Sequence, residues 1–179
     1  KTYRKRVMKD DATVGFIEID ACTYESDSKF FHEDGEKELP FELCSREGYT
    51  KRLDLGNGLE AYIPRKSLLF LYKLKAFRDR SYDLQTKGAT LLASRREWLS
   101  AKRAKDGSDM MALLDPNPYS FLIKEKFDIA LFEKTVEEFN LHFALESLNQ
   151  LPYIADSLNN YPNATSEDVL NWIEKVYTK

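Results

Sequence analysis

The chain has 179 residues, 42% of them apolar and 32% charged. That composition is ordinary for a globular domain, with no apolar run approaching the roughly 18 residues of a membrane span and no signal-peptide pattern. Two cysteines, Cys22 and Cys44, exclude a disulfide framework or a zinc site, so a reducing, cytoplasmic setting is expected. The net charge of −3 is unevenly spread: residues 1–9 hold five basic and no acidic residues, residues 10–63 are at −9, residues 64–114 at +7 and residues 115–179 at −6.

Residues 14–24, VGFIEIDACTY, alternate and are rich in β-branched residues, which predicts a strand with Glu18 and Asp20 on one face. Residues 25–38 are polar and turn-rich and read as a loop, and PFELCSR (40–46) reads as a short strand. Two alternating runs around Gly56-Asn57-Gly58 predict a hairpin over 50–64, because a tight turn needs positive φ. A helix is expected from Pro64–Ser67 to about Arg80.

Residues 83–115 read as mostly helical, broken early at Lys87-Gly88 and again at Asp106-Gly107-Ser108-Asp109, which can cap a last short helix, MMALL. Asp115-Pro116-Asn117-Pro118 is a stop. Helices then follow over 128–141, with Leu131, Phe132, Val136 and Phe139 in one stripe, and over two short segments separated by Pro152. A final helix over 164–177 opens with Thr165 and Asp168 in a capping-box arrangement. The expected fold class is α+β, with an α+β domain over 1–115 and a helical C-terminal region over 116–179.

The first long helix contains FLYKLKAFRDR (70–80). At about 100° per residue from Leu68, Lys73 falls near 140° and Arg80 near 120°, both between apolar neighbours. Lys75, Arg78 and Asp79 fall on the other side and are expected to be a solvated face. A lysine among apolar residues either snorkels to water or faces an anion in a polar cavity. Glu18 and Asp20, two carboxylates on one strand face, are either a wet face or a site for a divalent cation. His32 and His142 have no nucleophile or ligand spacing beside them.

In order, the chain presents IEIDACT, the hairpin LDLGNGLEAYIPRKSLL, the helix LYKLKAFRDR and then AKDGSDMMALL. This series resembles the minimal nucleotidyltransferase-like proteins of prokaryotes, a group that includes toxins of toxin–antitoxin and abortive-infection systems. There a hairpin leads into a helix with a KLxAxxxR core, followed by a KDxxDxxxL segment and a helical tail. The matching residues are Lys73, Leu74, Ala76 and Arg80, then Lys105, Asp106, Asp109 and Leu113. The resemblance covers roughly residues 14–115. It implies a small mixed sheet with helices and the transfer of a nucleoside monophosphate from a nucleoside triphosphate, with Mg2+, to a protein, RNA or small-molecule acceptor.

By that resemblance Asp20 would hold metal, with Glu18 as its substitute. Lys73 would face the triphosphate, Arg80 would support it, and Lys105 and Asp106 would edge the pocket. The chain departs from the pattern in one respect. No Gly-Ser is followed by an Asp-x-Asp pair; Glu18-Ile19-Asp20 has the spacing but no Gly-Ser upstream. Either the segment carrying that motif precedes Lys1, or the protein is a non-catalytic member, an interaction module with a partner protein. A further alternative is nucleic-acid binding through the basic 65–105 region.

Overall fold

The computed structural model describes residues 2–9, 12–20, 30–31, 36–37, 39–117 and 125–177. Its strands are β1 (Thr2–Lys9), β2 (Ala12–Asp20), β3 (Phe30–Phe31), β4 (Glu36–Lys37), β5 (Thr50–Gly56) and β6 (Leu59–Pro64). Its helices are α1 (Lys66–Lys87), α2 (Ala93–Leu114), α3 (Ile129–Phe139), α4 (His142–Glu146), α5 (Ala155–Asn160) and α6 (Ser166–Tyr177), with 3-10 turns at Phe41–Ser45 and Ser147–Tyr153. The expected α+β class is observed. The strands pair antiparallel in three two-stranded ribbons: β1 with β2, β3 with β4 and β5 with β6.

The β5–β6 hairpin forms where the glycines require it. Gly56, Asn57 and Gly58 have φ of 81°, 53° and 74°, a left-handed run that glycine and asparagine tolerate best. The Asp54 carboxylate accepts a hydrogen bond from the Gly56 N–H at 2.7 Å and closes the bulge. The hairpin then hands the chain to α1, with the Arg65 N–H bonded to the Tyr49 carbonyl at 2.9 Å.

The long helix α1 is central because it buries one broad apolar face. Leu68, Phe70, Leu71, Leu74 and Phe77 are all at most 1% exposed and span about half of its circumference. It packs against α2, α3, α4 and the second 3-10 turn. Phe132, Val136 and Phe139 of α3, Leu148 and Leu151 of the 3-10 turn and Val169 of α6 join α1 and α2 in one hydrophobic core. Residues after 116 therefore complete the burial of α1.

The later helices begin and end by local chemistry. Asp128 accepts from the Leu131 N–H at 3.0 Å at the start of α3, and Asn140 ends it with φ 51°. Asp168 accepts from the Thr165 N–H at 2.9 Å while Thr165 Oγ1 accepts from the Asp168 N–H at 3.2 Å, the expected capping box of α6.

Several expectations about local structure change. PFELCSR is a 3-10 turn over Phe41–Ser45, not a strand. Helix α1 continues past Arg80 to Lys87, and Gly88 follows it. Pro152 lies inside a 3-10 turn rather than between two helices. Residues 2–9, treated only as a basic stretch, pair with β2. The predicted strand residues 21–24, the two-cysteine pair's Cys22, and His32 lie outside the described residues.

The break predicted at Asp106-Gly107-Ser108-Asp109 is absent: α2 runs unbroken from Ala93 to Leu114. Each residue of that quartet has another task. Ser108 Oγ donates back to the Lys105 carbonyl at 2.8 Å, and Asp106 and Asp109 turn toward α1. A Cβ added to Gly107 would lie 2.2 Å from Ser157 Oγ and 3.2 Å from a Leu151 methyl. The glycine permits close approach of α5 to α2 rather than ending the helix.

Candidate functional site

The α1–α2 seam gathers the charged residues of both sequence motifs. On α1, Lys73 and Arg80 are seven residues apart, two turns along one stripe. On α2, Asp106 and Asp109 are three apart, so they also share a stripe. Lys73 Nζ lies 2.7 Å from Asp109 Oδ2 and 3.6 Å from Asp106 Oδ1. The Arg80 guanidinium bonds to Asp106 Oδ2, and Lys105 Nζ lies 2.6 Å from Asp109 Oδ2. The order along the seam is Arg80, Asp106, Lys73, Asp109, Lys105, with cation and anion alternating.

Asp106 is the most buried member of the seam, with Arg80 25% exposed on one side of it and exposure rising toward Lys105 on the other. The Asp106 side chain is 8% exposed, Lys73 28%, Asp109 31% and Lys105 57%. Burial dominates at Asp106 and holds its carboxyl above the usual range, although Arg80 and Lys73 pull it down. At Asp109 burial also pushes up, but hydrogen bonds from Lys105 and Lys73 outweigh it and the carboxyl falls below the usual range.

Of the expected site residues, Lys73, Arg80, Lys105 and Asp106 thus meet in one constellation, and Asp109 belongs with them. Lys73 is neither free nor merely snorkelling: a phosphate would reach it by competing with Asp109. Glu18 and Asp20 stand two apart on β2, hence on one face of it, with Arg4 and Thr2 as their cross-strand neighbours. Their side chains lie outside the described residues, and the main contacts of β1 and β2 among those residues are with each other.

The reading of Lys75, Arg78 and Asp79 as a solvated face is corrected. Lys75 is 7% exposed and Arg78 2%. Asp79 sits between them, with its Oδ1 3.1 Å from Lys75 Nζ and 3.2 Å from Arg78 Nε. The helical wheel failed because that side of α1, rather than facing water, meets α4 and the 3-10 turn. The missed signal was the Lys75–Asp79 spacing of four, which lets a lysine be buried with a partner.

Lys66 was also passed over. It is 8% exposed, and burial lowers its pKa against the opposing pull of Asp115 and Glu125. Asp115 in turn accepts from the Tyr161 hydroxyl at 2.6 Å.

On the outer side of α2 the basic residues do reach solvent. Arg95 stacks over the Trp98 ring at 4.3 Å and Lys102 lies 5.8 Å from its centroid, while Trp98 is 44% exposed.

No family model, curated protein or solved structure matches the chain. Among the described residues no group of three or more His, Cys, Asp or Glu is placed to hold a metal ion, and no helix is long and apolar enough to cross a membrane. Asp106 and Asp109 are engaged by cations; the resemblance assigns the Mg2+ it implies to Asp20, with Glu18 as its substitute. Two carboxylates on one strand face offer the oxygen donors a hard cation takes.

Proposed function

We propose that the chain is a nucleotidyltransferase-like domain that binds a nucleoside triphosphate with Mg2+ and passes its nucleoside monophosphate to an acceptor nucleophile, with pyrophosphate as the leaving group. One observation carries this reading. The KLxAxxxR and KDxxDxxxL segments lie on different helices, yet their charged residues meet in a single network, Lys73 to Asp109 at 2.7 Å and Arg80 to Asp106. Residues that make one functional unit are expected to converge in this way.

In this reading Lys73 is the residue that exchanges Asp109 for a phosphate oxygen. Its side chain is 28% exposed, so it reaches solvent without moving a helix. Asp109 keeps Lys105 when Lys73 leaves, so the exchange does not strand a carboxylate. Arg80 stays on the more buried Asp106 and holds the register of α1 against α2. A bound Mg2+, on Asp20 and Glu18, would supply charge neutralisation of the phosphates.

Isothermal titration of the full chain with each nucleoside triphosphate and Mg2+ tests the proposal. One nucleotide should bind, and Lys73→Ala should weaken it about 10-fold or more while leaving the circular dichroism spectrum intact. Asp20→Asn should remove the Mg2+-dependent part of the affinity. Label from an α-labelled triphosphate should then appear on an acceptor. If no triphosphate binds, the reading fails and the non-catalytic interaction module takes its place.

A second reading is favoured by Trp98. An exposed ring flanked by Arg95 and Lys102 is suited to stacking a base beside a phosphate backbone. Nucleic-acid binding through this face would fall steeply with salt and with Trp98→Ala.

A further inference from the structure

On the flank of α1 away from α2, Arg78, Ser81 and Gln85 follow one another at helical spacing of three and four and line a cavity of about 210 Å³. Glu146, Ser147 and Gln150 line the opposite wall. The floor is buried: Arg78 is 2% exposed, Ser81 3% and Ser147 7%. Gln85, Glu146 and Gln150 form an exposed rim.

The floor is a donor set. A guanidinium offers a planar fork of N–H groups suited to an oxyanion, and two hydroxyls can each donate once. Independently of the arginine, Ser81 Oγ is buried with no hydrogen-bond partner among the described residues. A buried hydroxyl in that condition is uncommon in folded proteins and calls for a ligand or an ordered water. The charged residues lining the cavity are Arg78 in the floor and Glu146 at the rim, and behind Arg78 lie Asp79, 3.2 Å from its Nε, and Lys75. An anion that passes the exposed Glu146 at the rim reaches the hydroxyls of Ser81 and Ser147 beside Arg78 in the floor.

Size limits the ligand. The cavity holds about 210 Å³. That is below the usual range for drug-sized ligands, so an intact triphosphate is too large. We propose that this cavity is a binding site for a small oxyanion, or the terminal phosphate or carboxylate of a small molecule, held by Arg78, Ser81 and Ser147. The site lies on a different flank of α1 from Lys73 and does not depend on nucleotide binding there.

Thermal melts of the full chain in rising inorganic phosphate, and separately in acetate, at constant ionic strength set with chloride, test the assignment. One of the two should raise the melting temperature saturably, and which one does separates a phosphate from a carboxylate site. Ser81→Ala should leave the melting temperature in chloride alone unchanged or slightly higher, because it removes an unsatisfied hydroxyl. The same variant should weaken the anion about 10-fold. Arg78→Lys, which keeps the charge and loses the fork, should weaken it further. The proposal is overturned if neither anion gives a saturable shift, if the shift survives Ser81→Ala and Arg78→Lys unchanged, or if Lys73→Ala alone abolishes it.

Discussion

Helix α1 carries two pairs of cations, and its neighbours receive them differently. Toward α2, Lys73 and Arg80 are partly exposed and meet carboxylates from another helix. Toward α4, Lys75 and Arg78 are deeply buried and share Asp79 from their own helix. The first arrangement ties two helices in a particular register. The second neutralises charge that packing has taken from water. Losing the shared carboxylate should therefore cost more on the buried flank, where both cations lie out of water.

Asp79→Ala gives the largest expected effect. It removes the carboxylate that two buried cations share and should cost about 3 kcal/mol or more in urea unfolding. A loss below about 1 kcal/mol would mean that the flank is as wet as the other, and the contrast would fail.

Gly107→Ala comes next. It sets a methyl against Ser157 and Leu151 and should cost about 1–3 kcal/mol by overpacking. Because α2 is held from behind by that contact, the variant also tests whether the Lys73–Asp109 pair survives a small shift of α2. Loss of nucleotide affinity along with stability would tie the two faces of α2 together.

A smaller effect separates Asp106 from Asp109. Asp109→Asn should cost about 1 kcal/mol at neutral pH, since the carboxylate is partly exposed, and Asp106→Asn less. Their pH dependences have opposite signs. The Asp109 carboxyl is lowered, so its contribution is present above the ordinary value of 3.8 and is lost as pH falls through its lowered value. The Asp106 carboxyl is raised, so its burial disfavours the fold at neutral pH and that penalty is relieved as pH falls through its raised value toward 3.8. Unfolding curves of the two variants across the acid range check both signs.

The smallest effect is ionic. Raising NaCl to about 0.5 M should narrow the gap between the protein and Asp109→Asn more than the Asp79→Ala gap, because both cations facing Asp79 are buried and so less screened.

Much of this architecture was legible in the sequence, because local chemistry decides it. Gly56-Asn57-Gly58 admits only a turn with positive φ, and Thr165 with Asp168 can cap only the start of a helix. The motif residues Lys73, Arg80, Lys105 and Asp106 were also visible as a group, although their meeting through Asp109 was not. What stayed hidden depends on the neighbours of an element. The wheel of α1 separates Lys73 and Arg80 from Lys75 and Arg78 but cannot say that α4 and the 3-10 turn cover the latter. Gly107 beside Asp106 reads as a helix end until Ser157 is found against it. PFELCSR turns into a 3-10 helix because Leu43 and Tyr49 must reach the core beside α1.

The shared core has a consequence for the chain as it leaves the ribosome. Helices α1 and α2 emerge before α3 to α6, yet Phe70, Leu71 and Phe77 share their core with Phe132, Leu148 and Val169, which follow many codons later. At roughly 5–20 residues per second, the half-finished chain exposes those aromatic and aliphatic side chains for several seconds. A stop codon near Asp115 would release a sticky fragment rather than a small folded domain.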